Sequence, residues 1–344
     1  MRIAIVNDVP LAVEAVRRVV LSSQEHHVAW VARDGHQAVE LCGRDVPDLI
    51  LMDLIMPGMD GAEATRRIMA RTPCPIVVVT ASVNAHSSKV FEAMGAGALD
   101  AVNTPVLQNP GVSRGSEALL AKIATIAKLI GAGAGGNGAT GLAHHPGSGR
   151  RPREPLIAIG ASAGGPTALA RILGVLPPAF ASPIVVVQHV DPQFASGLAH
   201  WLGHHVRLRV RLAQDGESPQ PGAVLVAGRE DHLVLNHRGR LGYSRQPADC
   251  SYRPSIDVFF QSVDRHWPGP IVGVLLTGMG RDGAAGLRAL RGHGHLTIAQ
   301  DEATSAVYGM PKAAVEIQAA AEILPLGKIG SRLAALARNL EVHV

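Results

Sequence analysis

Short apolar runs alternate with amphipathic stretches along most of this chain of 344 residues. Each run has about the length of one strand, and the stretches between the runs are long enough for helices. Such alternation is typical of α/β proteins, in which helices cover a sheet of parallel strands. The runs are RIAIV, HVAWVA, DLILM, PIVVVT and ALDAV in the first part of the chain, and LIAIG, PIVVVQH, AVLVA, HLVLN, GPIVGVLLTG and HLTIAQ in the second.

One segment, residues 131–155, interrupts the alternation, because it is rich in Gly and Pro and has no periodic apolar pattern. We interpret it as a flexible tether between two domains. The predicted organisation is a doubly wound domain with a five-stranded parallel sheet at 1–122, a linker at 123–153 and a mostly parallel α/β domain at 154–344. Within the second domain, the segment AVLVAGREDHLVLN predicts an inserted β-hairpin.

The composition excludes several classes of protein. Hydrophobic residues make up 47% and charged residues 17% of the chain, which is typical of a folded protein and not of a disordered one. The net charge of +4, without a basic run interleaved with aromatics, argues against binding of nucleic acid. No apolar stretch approaches the roughly 20 residues of a membrane span, so we expect no membrane insertion. Three cysteines without C-x-x-C spacing fit a reduced, cytoplasmic protein.

Carboxylates and hydroxyls follow the predicted strands of the first domain. Asp8 follows the first strand, Asp53 follows DLILM, and Thr80 ends PIVVVT. Because ligands bind at the carboxyl ends of strands in open α/β sheets, these side chains form a candidate site for Mg²⁺ and a phosphoryl group. Acidic residues after strands also cap helices, and the spacing alone leaves both interpretations open.

The segment DLILMDLIMPGMDG resembles the phosphoacceptor segment of response-regulator receiver domains, and the similarity covers about residues 1–122. The resemblance implies that Asp53 is the phosphorylated aspartate. It also implies that Asp8 and Asp53 bind Mg²⁺ and that Thr80 is the hydroxyl of the receiver switch.

The chain departs from the receiver pattern at two positions. Asn7 stands where receivers usually have a second acid, and Thr104 stands where they usually have a Lys before the Pro. The loss of a negative charge and of a cation is expected to weaken the binding of Mg²⁺ and of the phosphoryl group. A regulator that docks partners without being phosphorylated is therefore an alternative function.

In the second domain, the segment from Gly160 to Gly164 matches the G-x-S-x-G pattern of a nucleophile elbow around Ser162. A serine on a tight strand-to-helix turn needs small neighbours, because the flanking elements approach closely. Backbone N–H groups at the start of the following helix can stabilise an oxyanion. A glycine-rich loop that binds a phosphate group is the other interpretation of the same segment.

A serine nucleophile needs a base, and the base needs an acid that orients it. His189 ends the strand PIVVVQH, which places it at the same edge of the sheet as Ser162. Asp282 lies in the glycine-rich turn after another strand, GPIVGVLLTG. The chain order Ser, His, Asp differs from that of α/β-hydrolases, but the same geometry arises in any order.

The segment from Gly278 to Gly283 also matches G-x-G-x-x-G, and Asp301 ends the next strand about 20 residues further on, as in dinucleotide-binding proteins. Against that interpretation, Asp282 would place a carboxylate beside the pyrophosphate. Ser162 also takes the place of the middle glycine in the turn at 160–165. A dinucleotide-binding enzyme remains an alternative at this point.

Five segments of the second domain, in order, resemble the catalytic domain of CheB-type chemotaxis receptor methylesterases over about residues 154–344. Together with the receiver-like domain, the similarity covers nearly the whole chain. The opening segment MRIAIVNDVPLAVEAVRR is most similar to the branch that serves Wsp-like surface-sensing systems. The five segments are IAIGASAGG, VVVQH, RPSIDVFF, LLTGMGRDGAAG and IAQDEATSAVYGMPKAA.

The resemblance implies that Ser162 is the nucleophile, His189 the general base and acid, and Asp282 the orienting carboxylate, with the backbone at Met279 at the oxyanion site. It implies hydrolysis of glutamate γ-methyl esters, and deamidation of selected glutamines, on cytoplasmic helices of methyl-accepting chemoreceptor-type proteins. The esterase would need no cofactor. The receiver would cover the esterase edge until a histidine kinase phosphorylates Asp53.

Overall fold

The computed structural model describes residues 1–23, 25–82, 86–106, 115–131, 154–250 and 252–341. The chain divides into two compact units, Met1–Gly135 and Gly136–Val344. The last helix of the first unit continues through Gly131, into the segment where the sequence predicted the start of the linker. The rest of the predicted linker, residues 132–153, lies outside the described residues.

The first unit alternates strands and helices, as the sequence predicted. Its five strands are all parallel and lie in the order β2-β1-β3-β4-β5. The elements are β1 (Arg2–Val6), α1 (Pro10–Ser22), β2 (His27–Ala32), α2 (Gly35–Arg44), β3 (Leu49–Met52), α3 (Gly61–Arg71), β4 (Ile76–Thr80), α4 (Ser87–Gly95), β5 (Asp100–Asn103) and α5 (Ser116–Gly131).

The middle strands of this sheet are apolar on both faces. Every residue of β3 and β4 is buried, because helices cover both sides of the sheet. The chain order reverses between β1 and β3, which are hydrogen-bonded neighbours. Ligands bind at such a switch point in open α/β sheets, and Asp8 and Asp53 follow these two strands.

The second unit is built on seven strands in the order β14-β13-β12-β6-β7-β9-β8, and neighbouring strands pair in parallel. The predicted fold class, a parallel α/β sheet in each of two units, is thereby confirmed. The elements are β6 (Leu156–Ala161), α6 (Gly165–Leu173), β7 (Ile184–Gln188), α7 (Pro192–His205), β8 (Arg209–Leu212), β9 (Ala223–Val226), β10 (His232–Leu235), β11 (Leu241–Ser244), α8 (Ile256–His266), β12 (Ile271–Leu275), α9 (Ala284–Gly292), β13 (Leu296–Gln300), α10 (Met310–Glu316), β14 (Glu322–Leu324) and α11 (Leu326–Glu341).

The hairpin predicted at 223–236 is wrong. Strand β9 lies inside the parallel sheet between β7 and β8, whereas β10 pairs in antiparallel fashion with β11. The apolar run of β9 suits the interior of a sheet. The turn that joins β10 to β11 contains Gly239 with a positive φ of 68°, and this turn signal in NHRGR was overlooked.

The edge strands β8 and β14, which are short and partly polar, were not predicted from the sequence. Because an edge strand is buried less completely, its pattern lacks the continuous apolar run of a central strand. None of the described helices is both long enough and apolar enough to cross a membrane.

Candidate functional site

Three neighbouring strands at the centre of the second sheet, β7, β6 and β12, bring the predicted residues to one edge. Ala161 at the end of β6 pairs with Gln188 at the end of β7, so Ser162 and His189 are the next residues on adjacent strands. The His189 amide donates to the Ala161 carbonyl at 3.0 Å, and the Ser162 amide donates to Thr277 after β12 at 3.0 Å. The spacing of paired strands, about 4.8 Å, places Ser162 beside His189.

The backbone around Ser162 is crowded. Gly164 ends the turn with φ 78°, a conformation that favours glycine. A Cβ at Gly278 would lie 2.7 Å from the Cβ of Ser162, so only a glycine lets the two loops approach this closely. The Ser162 side chain is 5% exposed. Gly160 and Gly283 are crowded by Ile256 in the same way. The glycines of G-x-S-x-G and of the 278–283 loop are therefore explained by close packing around the serine loop.

Gln188 connects the serine loop to the histidine. Its buried side-chain Nε2 donates to the Ser162 carbonyl at 2.8 Å and to the His189 carbonyl at 3.0 Å. Because both acceptors belong to residues of the site, this amide holds the two loop backbones together. Gln188 was not predicted as a site residue, since a glutamine at the end of an apolar strand belongs to no recognisable motif.

Of the two nitrogens of the His189 imidazole, one is hydrogen-bonded to a carboxylate and the other has no hydrogen-bond partner among the described residues. Nε2 lies 2.8 Å from Asp282 Oδ2, and both side chains are buried. With the carboxylate ionised, Nε2 carries the proton and donates to it. Nδ1 is buried and has no hydrogen-bond partner among the described residues. The lone pair on Nδ1 is therefore available to accept a proton. Ser162 Oγ makes no hydrogen bond to Nδ1 in this structure. In enzymes without substrate such catalytic hydrogen bonds are often long or absent.

Asp282 receives four hydrogen bonds. Besides His189, the donors are the Ser255 hydroxyl at 2.8 Å, the Ile256 amide at 2.7 Å and the Asp257 amide at 3.1 Å, all at the start of α8. Burial alone would raise the pKa of Asp282, but the hydrogen bonds, first that of His189, outweigh it and lower the pKa. Asp282 is therefore a carboxylate held ionised in a buried site.

Asp257 is a second carboxyl beside Asp282. It accepts a hydrogen bond from the Gly286 amide at 2.6 Å. Burial and the negative charge of Asp282 raise the pKa of Asp257 to about 7. The pKa values of the two carboxyls shift in opposite directions, because Asp282 accepts a hydrogen bond from the His189 imidazole and Asp257 does not.

The predicted oxyanion residue lies in the loop beside Ser162. Gly278 is fixed on both sides, since its amide donates to Val307 at 3.0 Å and its carbonyl accepts from Met310 at 2.8 Å. The next amide, that of Met279, has no acceptor among the described residues. An amide of this kind next to the serine suits an oxyanion.

The glycine pattern at 278–283 has a structural role here. Gly283 precedes α9, and Asp282 before it is bonded to His189 and α8, not directed at a ligand. The alternative of a dinucleotide-binding enzyme is therefore not supported.

The candidate phosphorylation site lies in the first unit. Asp53 is nearly buried, and its Oδ1 accepts from the Leu54 amide at 2.7 Å. Burial raises the pKa of Asp53, and the charge of Asp8 adds to the increase, while the hydrogen bond from the Leu54 amide opposes it. Thr80 is buried at the end of the neighbouring strand β4. Asp8 Oδ1 is buried without a hydrogen-bond partner among the described residues. Two closely placed carboxylates with an unsatisfied oxygen fit Mg²⁺, which binds one or two carboxylates and keeps several waters.

The two departures from the receiver pattern have distinct surroundings. Asn7 is buried, and its Oδ1 accepts from the Val9 amide at 2.8 Å, so it supports the start of α1. Thr104 follows β5, and its amide donates to the Thr80 carbonyl at 2.9 Å. No three His, Cys, Asp or Glu side chains converge on a metal position within the described ranges. Mg²⁺ at this site would therefore depend on Asp8 and Asp53.

The fold and these two sites define a two-part protein: a receiver-like unit with paired carboxylates, and an α/β unit with a Ser, His and Asp at one sheet edge. The family model for the response regulator receiver domain matches residues 3–112, and that for CheB methylesterase matches residues 157–333. The chain belongs to the CheB methylesterase family.

Curated relatives resemble the chain over nearly its whole length. A protein-glutamate methylesterase/protein-glutamine glutaminase from Burkholderia lata is 59% identical over 339 residues, which is 98% of this chain and 100% of the relative. One from Mesorhizobium japonicum is 58% identical, over 97% of this chain and 98% of the relative. The crystal structure of the Thermotoga maritima CheB methylesterase catalytic domain is 36% identical, with a TM-score of 0.51, over 53% of this chain and 98% of that domain.

The Asp257→Asn substitution tests the raised pKa of Asp257. When the pKa of a carboxyl rises on folding, the folded protein becomes less stable as the pH increases from the pKa of the unfolded state to that of the folded state. These pKa values are near 4 and about 7 for Asp257. Asparagine does not titrate. We expect the free energy of unfolding of the variant, relative to wild type, to increase by on the order of 2 kcal/mol between pH 5 and pH 8. Urea unfolding at each pH measures this, with exposed Asp215→Asn as the control. A difference that does not change with pH would contradict the assignment.

Magnesium titration tests the receiver site. We expect Asp8→Asn to weaken Mg²⁺ binding by about tenfold or more, because one of two carboxylates is lost. Asn7→Asp should strengthen binding, since it adds a negative charge beside the site. Asp48→Asn removes a carboxylate before β3, at the opposite edge of the sheet, and should leave the affinity unchanged. Calorimetry on the full chain distinguishes these outcomes, and equal affinities for all four proteins would rule out the site.

Proposed function

We propose that this chain is a phospho-regulated protein-glutamate methylesterase and protein-glutamine glutaminase. Its substrates are glutamate γ-methyl esters, and selected glutamines, of methyl-accepting chemoreceptor-type proteins. The single observation that carries the proposal is the placement of Ser162, His189 and Asp282 at one edge of the parallel sheet. The names of the curated relatives support the substrate class.

The reaction begins with attack by Ser162 Oγ on the ester carbonyl. His189 takes the serine proton on Nδ1, because Nε2 is bonded to Asp282. The Asp282 carboxylate stabilises the resulting imidazolium. The negative charge on the carbonyl oxygen is stabilised by backbone N–H groups, of which the Met279 amide is the candidate.

The intermediate then collapses. The imidazolium returns its proton to the leaving oxygen, methanol departs, and an acyl-enzyme forms on Ser162. A water molecule deprotonated by His189 attacks the acyl carbon, and Ser162 leaves with the proton, so that glutamate is produced. For a glutamine substrate, ammonia is the leaving group in the same sequence. Each step uses only groups of the chain, the substrate and water.

The first unit regulates this activity in the proposal. Asp53 accepts a phosphoryl group from a histidine kinase. Asp8 and Asp53 would hold an Mg²⁺ ion, whose positive charge would offset the negative charge of that group. Thr80 ends β4, the neighbour of β3, and its hydroxyl is proposed to bond a phosphoryl oxygen. Phosphorylation shifts the population toward an active form. The site of action is the cytoplasm.

A serine-directed label and an activity assay test the nucleophile. We expect a fluorophosphonate to modify Ser162, located by mass mapping of peptides. Ser162→Ala should abolish labelling and reduce methanol release from methylated receptor by about a thousandfold or more, because the attacking oxygen is removed.

Ser196 is an exposed serine on α7, and Ser196→Ala is the matched control. Its labelling and methanol release should equal those of the wild type. Wild-type methanol release by Ser162→Ala would refute the mechanism.

Removal of residues 1–140 tests the regulatory role of the receiver. The remaining chain retains every described element of the second unit, β6 to α11. We expect its basal rate of methanol release to exceed that of the unphosphorylated full chain, because the inhibited form is no longer available. Asp53→Asn in the full chain should keep the low basal rate and lose activation by a phosphodonor. Equal rates for the full and shortened chains would contradict inhibition by the receiver.

A further inference from the structure

Tyr252 lies face to face with the His189 imidazole. The two ring centroids are 4.0 Å apart, and the ring planes differ by only 8°. Tyr252 lies shortly before α8, and Ser255 and Ile256 at the start of that helix both bond Asp282. The tyrosine ring and the Asp282 carboxylate therefore reach His189 from adjoining parts of the structure.

The phenol end of the same side chain reaches the candidate oxyanion loop. The Tyr252 hydroxyl donates to the Met279 carbonyl at 3.4 Å. Burial, followed by the charge of Asp282, raises the pKa of Tyr252, so the phenol remains a neutral donor. One side chain thus contacts both the base and the backbone unit that follows the Met279 amide.

The contact with Asp282 does not by itself fix the imidazole. A single hydrogen bond at Nε2 allows the ring to turn about the line that joins it to the carboxylate. A tyrosine ring against the face of the imidazole prevents that turn, because the stacked planes cannot rotate independently. The aromatic face also attracts a cation, and His189 becomes one when it takes the serine proton.

We propose that Tyr252 is a positioning residue for the esterase reaction: its ring holds the His189 imidazole in the plane that directs Nδ1 toward Ser162, and its π-face stabilises the imidazolium. This inference rests on the proposed function, since it concerns the same serine and histidine. The phenol contributes less than the ring, because its contact with the Met279 carbonyl is long.

Charged and titratable side chains also surround the imidazole. Asp282 faces His189 from the loop after β12, Asp257 lies behind Asp282 at the start of α8, and Cys250 precedes Tyr252 and lies within the field of both carboxyls. These residues are the same in Tyr252→Leu and Tyr252→Phe, and only the second variant keeps the ring. A shift in the acidic limb of the pH profile that occurs in Tyr252→Leu and not in Tyr252→Phe is therefore assigned to the loss of the stacked ring.

The experiment measures the rate of fluorophosphonate labelling of Ser162 against pH in the full chain. We expect Tyr252→Leu to be labelled about 10- to 100-fold more slowly near neutral pH, because the base is misplaced. The acidic limb of its profile should move to lower pH by about half a unit to one unit, because the imidazolium loses the aromatic face. Tyr252→Phe keeps the ring, so its limb should stay in place and its rate should fall by no more than about fivefold.

Trp201→Leu is the control, because Trp201 also lies against a histidine, His205 on α7, with ring centroids 4.1 Å apart and planes tilted by 32°. Its loss should not move the limb. Tyr252→Phe restores the ring if Tyr252→Leu folds poorly, and a shifted limb in the phenylalanine variant would overturn the proposal. Wild-type rate and limb in a folded Tyr252→Leu would do the same. If the wild-type chain is not labelled at Ser162, the proposed function fails, and this inference fails with it.

Discussion

The buried carboxylate of Asp282 ties together three parts of the second unit. A charge removed from water must be compensated by partners, and the partners of Asp282 come from two separate parts of the chain. The imidazole of His189 approaches from the end of β7, and the hydroxyl and amides at Ser255, Ile256 and Asp257 approach from the start of α8. The loop after β12 is therefore fixed against both elements, and the imidazole is oriented as a consequence.

The sheet beneath this site has a simpler requirement. Its central strands β6, β7 and β12 are buried throughout, and their apolar side chains pack against helices on both faces. Since parallel neighbours run in the same direction, the residues that follow them meet at one edge without any specific contact between them. The sheet brings Ser162 and His189 together. The hydrogen bonds that Gln188 donates to their carbonyls and that His189 donates to Asp282 then set their arrangement.

The sequence could predict the features that depend on continuous local patterns. Central strands such as β4 and β7 are apolar runs, and the elbow around Ser162 is a run of small residues, so both were visible. The hairpin at 223–236 was mispredicted because two strands close in sequence belong to different sheets. Gln188, Tyr252 and Asp257 were missed because their roles come from contacts with backbone and rings that are distant in sequence. His232, which is buried and accepts from the Ser255 amide at 3.0 Å, was missed for the same reason.

The two units place aspartates in opposite electrostatic environments, and the difference follows from their partners. Asp282 is buried but bonded to an imidazole and to two amides, so its pKa is lowered. Asp53 is also nearly buried, yet its neighbour Asp8 is another acid, and its pKa is raised. The first carboxylate has its hydrogen-bond partners within the protein and holds the His189 imidazole in place. The second lies beside another acid, and a bound cation would offset the negative charge of the pair.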